Sequence, residues 1–264
     1  MADTVRVDLH CHSSASDGDH SPTHVAKRLA ATGVAWASLT DHNTVAGQAE
    51  FQAAVNRYAI SHIPGVEIDA RSPLGPLHIL GYGFDVGNET LLAVLRAVRQ
   101  PLRTSARRLA GRLRSLFREP PVAPPTLCLP GGERAAPRRP LTTAMAICLI
   151  HEAGGHAFLA HPLESLRSFK RIEEALDLLQ PEGLDGLEVF HKSYPEGVQA
   201  ALIALAVRRG LVSTGGSDFH GLDHSDGASL GVDMPVEQWT EIMRLVGKNL
   251  GPVPFPVTLN KNAS

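Results

Sequence analysis

Cysteine is scarce in this chain, with three among 264 residues. Cys11, Cys128 and Cys148 are odd in number, and none of them belongs to a C-x-x-C pair. This usage argues against a framework of disulfides and against a zinc site built on thiolates. We expect all three thiols to be reduced and to take no part in chemistry.

Aromatic residues and long apolar runs are also few. Phe, Trp and Tyr make up 5% of the residues, and the pI is near 6.7, whereas a nucleic-acid-binding face would be basic or rich in stacking rings. No apolar run reaches the length of a membrane span, and residues 1–7 lack the features of a secretion signal. We therefore expect a cytoplasmic protein that binds neither membranes nor duplex nucleic acid.

The chain does contain a short apolar run that ends in a cluster of polar ligands, residues 8–12 (DLHCH). In a strand, His10 and His12 point to the same face because they are two positions apart. Asp17 follows on a Gly-containing turn and adds an anionic oxygen. Two imidazoles and a carboxylate suit Zn²⁺, Mn²⁺ or Fe²⁺. Taken alone, the motif is equally compatible with structural histidines at a strand end.

The same pattern recurs along the sequence, between segments of helical periodicity. Further strand-like runs end in or contain Asp41 and His42, Glu67, His78, His161, His191, and Asp218 with His220. The helix-like segments are residues 22–32, 46–59, 142–153, 169–179, 195–209 and 236–245. This alternation favours an α/β fold with a mainly parallel sheet, and 264 residues suffice for one barrel-type domain. Periodicity alone does not distinguish a closed barrel from an open sheet.

In their order, these motifs resemble those of the PHP family of metal-dependent phosphoesterases, named for polymerase and histidinol phosphatase domains. The resembling segments are residues 8–12, 16–18, 40–42, 160–162 and 216–221, supported by 64–67, 78–82 and 186–190. They look most like the stand-alone phosphatases of nucleoside monophosphates, nucleoside 3′,5′-bisphosphates or short RNA ends. The resemblance implies a distorted (β/α)7 TIM-like barrel, formed by residues 1–87 and 141–264, with all ligands at the C-terminal ends of the strands.

The resemblance further implies three divalent metal ions (Mn²⁺, Zn²⁺ or Fe²⁺). The implied ligands are His10, His12, Glu67 and Asp218 for the first ion, Glu67, His78 and His161 for the second, and Asp17, His42 and His220 for the third. A bridging carboxylate such as Glu67 holds two cations close enough to share a hydroxide. Asp41 precedes a ligand, and we expect it to orient a histidine.

Residues 88–140 form an insert of a different kind. They contain 11 arginines and no lysine against three acids, a surplus of eight positive charges, and seven prolines lie between residues 119 and 140. Guanidinium groups match phosphate oxygens, so we expect a small substrate cap that includes an irregular loop. The candidate substrate-binding residues are Arg103, Arg107, Arg138 and Arg139, together with Lys192. For each arginine, a place on a solvated helix face is an equally good interpretation.

These observations lead to a hypothesis of phosphate monoester hydrolysis, in which a metal-bridging hydroxide attacks phosphorus. Asp218 and His191 are the candidate catalytic residues, with His191 protonating the leaving oxygen. A nucleotide is the expected substrate, although the Arg-Asn and Arg-x-His cap elements of related bisphosphate phosphatases are not found here. The alternatives are a phosphodiesterase acting on short oligonucleotides or cyclic phosphates, a non-catalytic PHP regulatory module, and an amidohydrolase-like enzyme.

Overall fold

The computed structural model describes residues 3–99, 141–221 and 230–249. The strands are β1 (Thr4–Cys11), β2 (Trp36–Leu39), β3 (Ser61–His62), β4 (Gly65–Ser72), β5 (Gly75–Tyr82), β6 (Leu141–Thr142), β7 (His156–Leu159), β8 (Gly186–His191), β9 (Val212–Gly216) and β10 (Val232–Pro235). The helices are α1 (Pro22–Ala31), α2 (Gln48–Asn56), α3 (Glu89–Arg99), α4 (Thr143–Glu152), α5 (Pro162–Leu166), α6 (Phe169–Leu179), α7 (Glu196–Arg209) and α8 (Val236–Val246), with a 3₁₀ turn at Gly247–Asn249.

The strands form two sheets that are bridged at two places. Their orders are β10-β1-β2-β3 and β6-β4-β5-β7-β8-β9. Isolated parallel bridges join His42 to Glu67 on one side and Cys11 to Phe219 on the other. The resulting ring runs β1, β2, β4, β5, β7, β8 and β9, and within it β5 is antiparallel to both neighbours. The expected α/β fold is confirmed, and this ring is consistent with a distorted seven-stranded barrel.

Six of the eight helices in the described residues follow the predicted segments closely, because local capping signals agree with the apolar periodicity, whereas α3 and α5 match none of those segments. The side chain of Ser21 accepts from the His24 N–H at the start of α1, with Pro22 in the first turn. Ser168 caps α6 in the same way, and Gly210 ends α7 in the left-handed conformation at φ 66°. Within the described residues, no helix is both long and apolar enough to cross a membrane.

The buried apolar residues form one large core that fills the ring and the space beneath most helices, and a smaller separate cluster to which α1 and α2 contribute. Fully buried residues from the strands include Leu9, Ile79 and Phe158. Helix α3, which begins the sequence segment interpreted as the insert, buries Leu91 and Val94 against this same core. The first turns of that segment are therefore packed on the barrel, and residues 100–140 lie outside the described residues.

Candidate metal centre

Two histidines at the end of β1 face two carboxylates across the ring. The Nε2 atoms of His10 and His12 lie 3.2 and 3.1 Å from Glu67 Oε2, and 3.3 and 3.2 Å from Asp218 Oδ1. Glu67 comes from β4, and Asp218 follows β9. We call these four residues the first group.

The first group fits a cation because its converging polar atoms lack hydrogen-bond partners. His10 Nε2, His12 Nε2, Glu67 Oε2 and Asp218 Oδ1 are all buried without a hydrogen-bond partner. A buried polar group of this kind costs free energy unless a partner is supplied. Two imidazole nitrogens and two carboxylate oxygens that converge in this way can hold a divalent cation.

The other oxygen of Glu67 faces a second group. Glu67 Oε1 lies 2.9 Å from His78 Nδ1 and 3.1 Å from His161 Nε2. His78 comes from β5 and His161 follows β7, so three separate strands contribute to this group. Glu67 thus has one oxygen in each of two adjacent groups, as a bridging carboxylate requires.

A third group lies beside the first, at the edge of the ring. Asp17 Oδ2 is 3.7 Å from His42 Nε2 and 3.6 Å from His220 Nε2. Asp17 Oδ1 is also 3.6 Å from His12 Nδ1, so the second nitrogen of His12 borders this group. The structure therefore brings together all nine residues for which the sequence predicted a ligand role.

Two of the nine residues differ from the predicted position at a strand end. Glu67 is the third residue of β4, and His78 is the fourth residue of β5. These two strands form one antiparallel hairpin that continues beyond the ligand groups. The prediction that all ligands lie at C-terminal strand ends is therefore wrong for this hairpin, because β4 continues past Glu67 and β5 enters the ring in the opposite direction.

The electrostatics of the centre favour ionised carboxylates. Burial alone would raise the pKa of Glu67, but the surrounding His10, His12 and His161 hold it well below its usual value. Burial likewise opposes ionisation of Asp218, whose pKa is held well below its usual value by His10 and His12. Ionised carboxylates are the form that binds cations. Against the effect of burial, the same contacts raise the pKa of His10, His12 and His161, so a cation that binds here displaces protons from these imidazoles.

Glu188 of β8 is a residue to which the sequence assigned no role. It is fully buried, and its oxygens lie 3.1 and 3.2 Å from His10 Nδ1. Its Oε2 also accepts the backbone N–H of His161 at 2.7 Å. A carboxylate behind a ligand histidine fixes the ring and its tautomer. The signal was the buried acid in an apolar strand two positions before Phe190.

Asp41 has a different structural role from the one expected. Its carboxylate accepts the N–H and the hydroxyl of Ser13, each at 2.8 Å, and the hydroxyl of Ser16 at 2.6 Å. These bonds fix the loop that carries Asp17. The expectation that Asp41 orients a histidine is replaced by this role in holding the loop, because both of its carboxylate oxygens accept hydrogen bonds from the two serines.

The backbone is strained at two of the candidate ligands. His161 has φ 25° and Asp218 has φ 49°, in the left-handed region that non-glycine residues rarely adopt. Asp218 is held there by its N–H, which donates to the His10 carbonyl at 2.7 Å. Conformations of this kind cluster at functional sites, where the surroundings enforce them.

His191 lies at the end of β8, beside the first group. Its Nδ1 is 2.7 Å from Ser193 Oγ, and that hydroxyl donates to Glu164 Oε1 at 2.9 Å. A ring nitrogen of His191 lies within 4.8 Å of an Asp218 oxygen, and its Nε2 is buried without a partner. Lys192 follows in the turn and is partly exposed.

A cavity of about 760 Å³ opens beside the second and third groups. Its wall includes Asp17, His42 and His78 together with two arginines, Arg71 and Arg99. Sequence reasoning missed Arg71, although it lies four positions after Glu67 on β4 and therefore projects to the same face of the strand. The predicted candidates Arg103, Arg107, Arg138 and Arg139 lie outside the described residues.

Comparison with known proteins gives matches over most of the chain. A PHP domain model matches residues 8–116. A 5′-3′ exoribonuclease of Haemophilus influenzae is 30% identical over 249 residues, covering 82% of this chain and 90% of that protein. A 3′,5′-nucleoside bisphosphate phosphatase of Chromobacterium violaceum is 28% identical over 256 residues, covering 82% and 87% respectively.

Two solved structures share the fold. A Chromobacterium violaceum protein described as an amidohydrolase with bound sulfate aligns with a TM-score of 0.69 at 26% identity, over 89% of this chain and 96% of that one. A Bifidobacterium adolescentis protein described as a metal-dependent phosphoesterase aligns with a TM-score of 0.67 at 23% identity, over 90% and 95%. The family match and the phosphatase relative, together with the candidate ligand groups, define a metal-dependent phosphoric ester hydrolase. The chain belongs to the PHP family.

Proposed function

We propose that this phosphoesterase is a phosphatase that hydrolyses the monoester of a small phosphorylated metabolite. The proposed substrate is a nucleotide, either a nucleoside 5′-monophosphate or a nucleoside 3′,5′-bisphosphate. The observation that carries the proposal is the cavity in which ligand residues of the second and third groups face Arg71 and Arg99. A volume of about 760 Å³ is in the range of sites for small molecules.

We assign three ions, Mn²⁺, Zn²⁺ or Fe²⁺, to the three groups. The residues that would hold them are His10, His12, Asp17, His42, Glu67, His78, His161, Asp218 and His220. When bound, such cations neutralise charge on phosphate oxygens and lower the pKa of water enough to supply a nucleophile near neutral pH. The unpaired buried atoms of the first group support this assignment.

The chain itself supplies orientation and a proton. Asp218 contributes an oxygen to the first group and borders His191, so it links the ligands to the proposed acid. The bonds from His191 Nδ1 through Ser193 to Glu164 fix the ring and leave Nε2 unpaired. We assign His191 Nε2 as the donor to the leaving oxygen, the step for which an alkoxide needs a general acid.

Substrate binding is assigned to arginines on the cavity wall and, as part of the same proposal, to a cap formed by residues 88–140. Arg99 at the end of α3 belongs to that segment and lines the cavity, which supports a cap at this place. The proposed cap would add Arg103, Arg107, Arg138 and Arg139, with Lys192 near His191. Guanidinium groups favour phosphate oxygens because their paired N–H groups match them in geometry and charge.

A second candidate is cleavage of phosphodiesters at the ends of short RNA. The exoribonuclease of Haemophilus influenzae supports it, since that relative covers most of this chain. The same ligand groups serve monoesters and diesters, so the cavity wall decides between them. A cytoplasmic location fits either substrate and belongs to the same proposal.

The test is phosphate release by the Mn²⁺-loaded enzyme from AMP, adenosine 3′,5′-bisphosphate, histidinol phosphate, a cyclic ribose phosphate and a short 5′-phosphorylated RNA. We expect release from a nucleotide, lost in Asp218→Ala. Arg71→Ala should raise KM about 10-fold, the usual effect of losing a charged hydrogen bond, and most strongly for the bisphosphate. The matched control is Arg208→Ala, an exposed arginine of α7. Phosphate release from the RNA and from no other substrate would favour the second candidate. No phosphate release from any substrate, with metal bound, would refute both candidates.

A further inference from the structure

Asp69 is a carboxylate beside the ligand groups that the mechanism above does not use. It lies two positions after Glu67 on β4, so both side chains project to the same face of the strand. In the β4–β5 hairpin Asp69 is paired directly with His78. Its side chain is 41% exposed and lines the cavity, whereas that of Glu67 is buried.

Asp69 and Glu67 contact opposite sides of the same two imidazoles. His42 places Nε2 3.2 Å from Glu67 Oε2 and Nδ1 2.9 Å from Asp69 Oδ1. His78 places Nδ1 2.9 Å from Glu67 Oε1 and Nε2 3.7 Å from Asp69 Oδ1. One oxygen of Asp69 therefore faces the outer nitrogen of a histidine in the second group and of a histidine in the third.

A neighbouring side chain fixes the orientation of Asp69. Asn43 donates from Nδ2 to Asp69 Oδ2 at 2.7 Å, and Asn43 Oδ1 accepts the backbone N–H of Asp69 at 3.1 Å. Asn43 is buried and directly follows His42, with φ 53°. Asn tolerates this left-handed conformation better than most residues, so the chain can turn here and return its amide to β4.

We propose that Asp69 is a positioning residue that sets the tautomers of His42 and His78 together and so couples the second and third metal groups. With protons on the outer nitrogens facing Asp69, both inner nitrogens keep lone pairs for a cation. The short Asp69–His42 distance and the directly paired Asp69–His78 position carry the assignment. The proposal rests on the proposed metal binding, although not on the identity of the substrate.

The test compares metal binding by wild type, Asp69→Asn and Asp185→Asn. Asp185 is a matched control because it also contacts two histidines, with oxygens 2.8 Å from His151 Nε2 and 3.4 Å from His156 Nδ1, outside the metal groups. In Asp69→Asn, an amide nitrogen replaces an oxygen that either receives the Asn43 donor or faces the histidines. Metal-free protein is titrated with Zn²⁺ against a chelator to give the number and affinity of the sites.

We expect Asp69→Asn to weaken two of the Zn²⁺-binding steps by about 10- to 100-fold, as losses behind a ligand histidine usually do. The remaining step belongs to the first group, which does not include His42 or His78, and should be unchanged. Asp185→Asn should bind as wild type does. In ¹⁵N spectra of Zn²⁺-loaded protein, His42 should carry its proton on Nδ1 and His78 on Nε2, and Asp69→Asn should disturb both.

The double variant Asn43→Asp with Asp69→Asn tests the geometry, because the amide at position 69 then finds an acceptor and returns an oxygen to the histidines. It should recover part of the lost affinity. Three results for Asp69→Asn would each overturn the proposal: equal weakening of every Zn²⁺-binding step, complete loss of one equivalent of bound Zn²⁺, or binding identical to that of wild type. The absence of Zn²⁺ binding by wild type would also overturn it. If wild type binds Zn²⁺ but hydrolyses no phosphate ester, the proposed function fails and Asp69 keeps its role.

Discussion

Single residues in this centre are held in positions that the chain would not adopt by local preference. His161 and Asp218 have positive φ values of 25° and 49°, and such residues cost on the order of 1–3 kcal/mol each. Glu188 accepts the N–H of His161, and His10 accepts that of Asp218, both at 2.7 Å. These bonds to neighbouring strands compensate for the strain and place the side chains among the ligand groups.

His191→Gln should slow hydrolysis according to the leaving group. A general acid contributes about 10²- to 10⁴-fold where the leaving oxygen is a poor one, so kcat for a nucleotide should fall in that range. An aryl phosphate such as p-nitrophenyl phosphate leaves without a proton, and its kcat should change little. Steady-state kinetics on both esters is the measurement.

The control is His24→Gln, which replaces an exposed histidine of α1 and should leave both rates unchanged. An equal loss on both esters in His191→Gln would contradict the role of acid. It would indicate that His191 supports the first group through Asp218 instead.

At the residue scale, the sequence predicted which side chains come together in the centre, although each motif taken alone is weak evidence. His10 and His12, two positions apart at the end of β1, do converge in the ring with the acids and histidines predicted from the later segments. Their binding of metal stays a prediction. Glu188, Asp69 and Arg71 escaped notice because their roles depend on partners distant in sequence, such as His10, 178 positions from Glu188.

Elements were predictable wherever local signals agreed. Helix α6 has the bounds that its apolar spacing indicates, since Ser168 caps it and its buried residues recur every three or four positions. The hairpin of β4 and β5 was not recognised, although residues 72–75 (SPLG), where the two strands join, contain the Ser, Pro and Gly that are typical of a hairpin turn. That hairpin carries Glu67, Asp69 and His78, so the missed element is also the one that joins the groups.

Two glycines of α7 should respond oppositely to alanine. Gly210 ends the helix at φ 66°, and Gly197 lies in its first turn; a Cβ at either position meets no atom within 4 Å. Gly210→Ala should lower the free energy of unfolding by about 1–2 kcal/mol, because an L side chain disfavours this conformation. Gly197→Ala should raise it by up to about 1 kcal/mol.

Urea denaturation of both variants gives these differences directly. Since neither methyl group meets a neighbour, packing does not enter the comparison. Stabilisation by Gly210→Ala would show that the end of α7 does not adopt the left-handed cap in solution.

For the whole molecule, closure of the ring is what assembles the centre. Glu67 N–H donates to the Thr40 carbonyl, and Asp218 N–H donates to that of His10, so the bridges between the two sheets lie at the ligand groups themselves. No periodicity in the sequence specifies these long-range contacts, which is why strand patterns alone left a barrel and an open sheet equally possible. The resemblance to a known family supplied the choice.

The stability of the whole molecule should also depend on pH through His62, which is not a member of any of the three ligand groups. Burial lowers the pKa of His62 to about 4, and its Nε2 lies 3.0 Å from Gln48 Oε1. Gln48 in turn donates to the carbonyls of Leu39 and Gly65, on neighbouring strands. A charged imidazole at this place would therefore disturb a contact between β2 and β4.

Because the folded pKa of His62 lies below the ordinary value near 6.5, the unfolded chain binds the proton more readily. Its contribution to stability is therefore complete above about pH 6.5 and is lost as the pH falls towards 4, by at most about 3 kcal/mol. His62→Gln cannot take up this proton, so its free energy of unfolding should fall less than that of wild type over the same interval. Urea denaturation of both proteins at pH 7.5, 6, 5 and 4.5 measures the difference. Parallel curves would show that His62 is solvated and that Gln48 alone joins the strands.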